Sequence, residues 1–225
     1  MDGSVWKNIL KPIRDSTGAP LITYDRAGLG KSEIDTTTIS FEQEIKELDQ
    51  ALKKLGFRKR YFLVAHSFGG MYASAFARAN QGKIQGAVFI DVSVPCELTN
   101  EYATRVKNSI SDENWKMLKE HRTGLYYVLH EFPEIAEYMS RRYISNSIPL
   151  TLIVADTYVP TPQIGETEQD MIHWKTCLED FGNLLNHKYV TTKNTDHKVW
   201  EKDPETVISE IITLYNQTKS AEPNR

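Results

Sequence analysis

The stretch Arg60-Tyr61-Phe62-Leu63-Val64-Ala65-His66-Ser67-Phe68-Gly69-Gly70 decides how this chain is read. Arg60–Ala65 is a short apolar run rich in aromatic and branched residues, which predicts a buried strand. From Gly69 onward, Ala73, Ala75 and Ala77 supply the small residues of a closely packed helix. Ser67 falls on the turn between them. A strand, a sharp turn carrying a nucleophile and a helix together make a nucleophile elbow. Residues two positions either side of the nucleophile must be small, and Ala65 and Gly69 meet that requirement, with Ala65 standing where Gly is usual. The elbow also brings Ser67 to a helix N-terminus, where the backbone N–H of Phe68 can face a developing oxyanion.

Outward from this point the chain alternates apolar runs with amphipathic stretches, the pattern of βαβ units. Strands are expected at Ala19–Tyr24, ending at Asp25, at Gly86–Ile90, at Pro149–Ala155 and at Lys188–Thr191. Phe41, Ile45, Leu48, Leu52 and Leu55 recur at helical spacing. Ser40 and Gln43 form a capping-box pattern before them, and Gly56 marks the stop. Met171, Trp174, Leu178 and Phe181 outline another helix. Asp203-Pro204-Glu205 starts a last one, whose buried face is Val207, Ile211, Leu214 and Tyr215. The polar tail from Thr218 is expected to fray. The sum is an α/β fold: a doubly wound, mostly parallel sheet with helices on both faces. Residues 1–92 and 148–225 form its core. Residues 93–147, charged and aromatic without a buried strand, form a helical insertion over the strand ends, with helices near Asn114–His121, Leu125–Glu131 and Glu134–Arg142.

Composition narrows the function. With 225 residues the chain fits one mid-sized domain carrying a long insertion. Its 27 basic and 30 acidic residues leave a net charge of −3, which argues against nucleic acid as a partner. No apolar stretch reaches the length of a membrane span, and the first residues lack the basic and apolar regions of a signal peptide. Cys96 and Cys177 offer neither a disulfide framework nor a metal knuckle, so they are expected as free, buried thiols in a reducing, cytoplasmic compartment. Gly28-Leu29-Gly30-Lys31-Ser32 resembles the end of a phosphate-binding loop. However, Asp25 stands where that loop needs its first Gly, and the residues that follow start a helix poorly. This is expected to be a structural turn.

A serine hydroxyl attacks only if a base takes its proton. His197 is the best candidate, because it follows the last strand and precedes the last helix. His66 lies inside the elbow, His121 and His130 in the insertion, His173 in a helix and His187 at a strand start. A carboxylate should orient the imidazole. Asp91 and Asp156 both end strands at the sheet's carboxyl edge, and both remain candidates.

These motifs resemble the α/β-hydrolase fold superfamily. The resemblance is carried by Tyr24-Asp25-Arg26-Ala27-Gly28-Leu29-Gly30-Lys31-Ser32, Ala65–Gly70, Phe89-Ile90-Asp91, and His197 followed by Asp203-Pro204-Glu205. It implies Ser67 as nucleophile, His197 as general base and residues 93–147 as a lid over the site. The usual acid position of the superfamily, beyond the strand ending at Ala155, holds Val159 here. Some relatives take the acid from the end of the preceding strand, so Asp91 is preferred and Asp156 is second. The superfamily also carries strands ahead of the stretch like Asp2–Trp6, and a loop there supplies a second oxyanion donor. This chain is therefore expected to be shortened at its N-terminus, with Phe68 as the donor at hand. Relatives that cleave carbon–halogen bonds or epoxides carry Asp where Ser67 stands, which disfavours those reactions. The expected function is hydrolysis of an ester, thioester, lactone or similar acyl bond in a small molecule, with no metal or organic cofactor. Lid aromatics such as Trp115, Tyr126, Phe132 and Tyr138 favour a partly apolar substrate. The alternative is a non-catalytic, receptor-like member that binds a ligand without turning it over.

Overall fold

Parallel strands are buried on both faces, and the two central strands here are mostly apolar for that reason, interrupted only by Gln85 and by the buried Thr151. In the computed structural model, which describes residues 2–58 and 60–220, the sheet consists of β1 (Tyr61–His66), β2 (Ile84–Ile90), β3 (Leu150–Val154) and β4 (His187–Thr191). All neighbours run parallel, in the order β1-β2-β3-β4. Side chains alternate between the faces. Ala87 and Phe89 of β2 pack with Leu152 against α3 (Gly69–Ala79) and α8 (Glu168–Gly182). Val88, Ile90 and Ile153 point the other way, against α1 (Lys7–Thr17) and α10 (Pro204–Ser220). The doubly wound α/β architecture is thus present. The register sets the strand ends level: His66 lies opposite Ile90, and Ile90 opposite Ile153.

Between β2 and β3 lie four helices: α4 (Asn100–Ser109), α5 (Asp112–His121), α6 (Thr123–His130) and α7 (Phe132–Met139). The last three match the expected helices closely, while α4 was not foreseen. Its buried positions are Ala103 and Val106, too sparse an apolar stripe to stand out. Val106, Val128 and Phe132 join a core with Phe41 of α2 (Phe41–Lys54) and with Met71 and Tyr72 of α3. A short helix, α9 (Val199–Lys202), precedes α10.

Several local expectations need correction. Ala19–Tyr24 is not a strand. Leu21, Ile22 and Tyr24 are 37–44% exposed, and the segment joins no ladder, because strand propensity without a pairing neighbour does not make a strand. Ser40 caps α2 through Gln43 N, but the Gln43 side chain bonds Glu47 instead of returning to the cap. Leu55 falls just beyond α2 and is exposed. At α10, Asp203 accepts from Thr206 N, as a helix start should, and the helix runs on to Ser220. The rest of the expected frayed tail, 221–225, lies outside the described residues. Among the described residues no helix is long and apolar enough to cross a membrane.

Cys96 and Cys177 are not free thiols. They form a disulfide with Cα atoms 5.8 Å apart, joining the turn after β2 to α8. Their separation of 81 residues hid a contact that only the fold creates. On chain-entropy grounds, closing so long a loop stabilises by about 4 kcal/mol. Denatured, unreduced protein should therefore expose no thiol to Ellman's reagent, and reduction should expose both while lowering the melting temperature. Two reactive thiols before reduction would contradict the bond.

Candidate active site

The level strand ends bring residues far apart in sequence to one edge of the sheet. Ser67 follows β1 directly, Asp91 follows β2 directly, and His197 lies in the loop between β4 and α9. Ser67 has φ 55° and Asp91 φ 47°, both in the left-handed region that L-residues seldom adopt. Each such residue costs roughly 1–3 kcal/mol and persists only where its surroundings hold it. Ser67 N–H donates to Ile90 O at 3.3 Å, and Ser67 O accepts from Ser93 N at 3.0 Å and Gly70 N at 3.0 Å. The elbow is thus stitched to the end of β2.

Ser67, His197 and Asp91 are joined by hydrogen bonds. His197 Nε2 lies 2.9 Å from Ser67 Oγ, and His197 Nδ1 donates to Asp91 Oδ2 at 2.7 Å. Asp91 is 1% exposed, and its other oxygen accepts from Ala155 N at 3.0 Å. The second acid candidate, Asp156, is elsewhere engaged. It accepts from Asn194 N at 2.7 Å and Thr195 N at 2.9 Å, and those two bonds hold its carboxyl below the usual range. Asp156 therefore anchors the loop leading to His197 rather than touching the imidazole. Phe68 N–H, just before α3, bonds to no acceptor among the described residues.

His66, set aside in the sequence as part of the elbow, supports the same loop. Its Nε2 donates to the carbonyl of His197 at 2.7 Å, and its ring packs edge-on against Trp200 at 4.5 Å. Burial, with the nearby His197 ring, pushes its pKa down to about 3, so it remains a neutral donor. A strand-end histidine followed by a serine gives no sequence hint of a partner 131 residues away.

The smallness that the elbow demands falls on a different glycine from the one expected. A Cβ at Gly69 would meet Ala65 Cβ at an ordinary 3.9 Å. At Gly70 it would come within 2.6 Å of Val92 Cβ and 2.7 Å of Ser93 O. The β2 exit crosses the start of α3 at Gly70, which sequence spacing about Ser67 does not reveal.

A cavity of about 1030 Å³ opens beside Ser67. His197, Tyr102, Phe132, Tyr158 and Trp174 line it, and so does Glu97, a carboxyl the sequence did not single out. Its wall extends along β1 to Ile9 and Ile13 of α1. Cys96, His173 and Cys177 bring potential metal-ligand atoms within 4.8 Å of one another, but both sulfurs are spent in the disulfide. The Gly28–Ser32 segment is a turn held by Asp25, whose carboxylate accepts from Gly3 N and Lys31 N.

A family model described as the alpha/beta hydrolase fold matches residues 2–121, and the chain belongs to that family. The uncharacterized protein YqjL of Bacillus subtilis is 36% identical over 213 residues, covering 93% of this chain and 78% of the relative. Among solved structures, the putative ancestral haloalkane dehalogenase AncHLD2 superposes with a TM-score of 0.69 at 17% identity, covering 98% of this chain and 89% of that one. A thermophilic esterase of Thermogutta terrifontis superposes with a TM-score of 0.57 at 18% identity, covering 97% and 86%. At such identities these two structures speak for the fold.

The glycine geometry makes a prediction. Gly69→Ala should leave the melting temperature within a degree or two. Gly70→Ala should lower it by several degrees, an overpacking cost of about 1–3 kcal/mol. Thermal melts of the two variants decide it, and equal melts would contradict the assignment.

Proposed function

We propose that the chain is a serine hydrolase that cleaves an ester, thioester, lactone or similar acyl bond in a small, partly apolar molecule. The observation that carries this reading is the 2.9 Å approach of His197 Nε2 to Ser67 Oγ, continued by the 2.7 Å bond from His197 Nδ1 to buried Asp91. In this reading Ser67 attacks the carbonyl carbon while His197 takes its proton. Asp91 holds the imidazole in the tautomer whose Nε2 is free to accept, and stabilises the imidazolium that forms. Phe68 N–H donates to the oxyanion. Such a donor is worth about 3 kcal/mol of transition-state stabilisation. His197 then returns the proton to the leaving group, and water attacks the acyl-enzyme by the reverse route. Asp156 and His66 are positioning residues for the His197 loop.

The segment 93–147 acts as the lid. Support comes from Phe132 and Tyr102, which belong to it and line the cavity beside Ser67. The aromatic wall favours an acyl or alcohol portion with apolar character. Ser at position 67 favours acyl transfer over dehalogenation, which needs a carboxylate there.

A fluorophosphonate probe tests the reading. The native protein should be labelled, Ser67→Ala should lose labelling, and Asp91→Asn should slow it by about 10⁴-fold, as when the tautomer is lost. Absence of labelling in the folded native protein would favour a ligand-binding role without turnover.

A further inference from the structure

Glu97 lies in the turn between β2 and α4, and that turn is built onto the site from three sides. Ser93 N–H donates to Ser67 O at 3.0 Å, which ties the turn to the elbow. Val94 N–H donates to Glu97 Oε2 at 3.2 Å, and Glu97 N–H donates to Val94 O at 3.1 Å, so the turn closes on its own side chain. The Cys96–Cys177 disulfide fastens the same turn to α8. The carboxyl is thereby held on the wall of the cavity that contains Ser67 and His197.

The charged and titratable groups facing it are otherwise committed. Asp91 serves His197 and Ala155 N. Glu166 accepts from Tyr102 Oη at 2.9 Å and from Thr161 N at 2.8 Å. Asp170 pairs with Arg105 at 2.6 Å, and His173 Nε2 bonds Cys96 O at 3.3 Å. No lysine or arginine among the described residues pairs with Glu97. Glu97 is half-buried, and the protein packed around its carboxyl pushes it up to about 8. The Val94 N–H and the Ser93 hydroxyl pull the other way, and the negative charges of Glu166 and Asp91 add to the rise. Partly desolvating a carboxylate without a countercharge is costly, and a cation supplied from the cavity would offset that cost.

Tyr102 and Tyr158 line the same cavity, where burial raises both phenols and Glu97 lies close enough for its charge to add to the rise. The Tyr158 ring lies 4.8 Å from that of Trp174 and 5.9 Å from that of His197, and Tyr102 lies 6.2 Å from Phe132. Ring faces attract cations, most strongly where water is excluded. A carboxylate-bearing substrate would instead meet the negative charge of Asp91 and Glu166.

We propose that Glu97, with the ring of Tyr158, forms a subsite that selects a substrate carrying an amine or quaternary ammonium group near the scissile acyl bond. This rests on the serine-hydrolase reading and adds a substrate class to it. Glu97 binds as the carboxylate, so loading a permanent cation releases a proton. Binding therefore tightens as pH rises toward and past about 8, where the free site loses that proton by itself.

Two measurements separate this inference from the reading beneath it. The first compares p-nitrophenyl esters of butyrate, γ-trimethylammoniobutyrate and hemisuccinate. The native enzyme should prefer the cationic ester and discriminate against the anionic one. Glu97→Gln should lower the cationic-to-neutral ratio of kcat/KM by about tenfold or more, equivalent to about 1.4 kcal/mol. The second titrates Ser67→Ala protein with butyltrimethylammonium by calorimetry, with and without Glu97→Gln. Affinity should rise with pH between about 6 and 9, and Glu97→Gln should weaken binding and flatten that rise. Tyr158→Leu should weaken it as well, which serves as the second variant. Hydrolysis of the neutral ester with an unchanged ratio in Glu97→Gln would overturn the subsite alone. PH-dependent ammonium binding with all three esters inert would support the subsite and overturn the acyl-transfer reading. No binding and no hydrolysis would overturn both.

Discussion

The bond from His197 Nδ1 to Asp91 is the constraint around which the carboxyl edge is arranged. Asp91 is 1% exposed, and a carboxylate removed from water so completely is tolerable only where donors surround it. One donor is Ala155 N–H, at the end of β3, and the other is the imidazole. That single side chain thus gathers the ends of β2 and β3 and the loop after β4. Its backbone is held in the left-handed region at φ 47°. Removing one partner of such a buried pair is costly because the other is left uncompensated. The same interaction therefore bears on stability and, in the proposed reaction, on the chemistry.

The His197 loop is held as carefully as the residue itself. Asp156 takes the N–H groups of Asn194 and Thr195, His66 donates to the His197 carbonyl, and Trp200 packs against His66. Ser67 is presented by strain of its own, balanced by hydrogen bonds to Ile90, Ser93 and Gly70. In the proposed reaction, side chains supported in this way would lose little further freedom when a substrate arrives. The disulfide extends the same support to the turn bearing Glu97.

How much of this could be read from the sequence follows from the range of each signal. The elbow is local: a strand, a turn and a small-residue helix lie within a score of residues, so Ser67 stands out. His197 is legible because it falls between a strand and a well-marked helix start. The contacts formed only by folding were not legible. Asp91 and Asp156 end equivalent strands, and only the register of β2 and β3 against the His197 loop separates them. Cys96 and Cys177 meet because the turn after β2 folds back onto α8, and Gly70 is tight because Val92 crosses it. Ala19–Tyr24 has the composition of a strand but no partner, since pairing is a property of neighbours rather than of a segment. Glu97 gives no signal in the sequence, because a glutamate in a charged segment carries no local mark of the cavity it lines.

In the proposed reaction the Ser67 hydroxyl oxygen enters covalent chemistry, and Phe68 N–H receives the charge that develops. A crystal structure of the protein after reaction with a fluorophosphonate tests this most directly. Density should run continuously from Ser67 Oγ to phosphorus, with the phosphoryl oxygen within hydrogen-bond distance of Phe68 N and His197 still bonded to Asp91. Phosphorus attached to another residue, or an unmodified Ser67 with His197 turned away from it, would contradict the account.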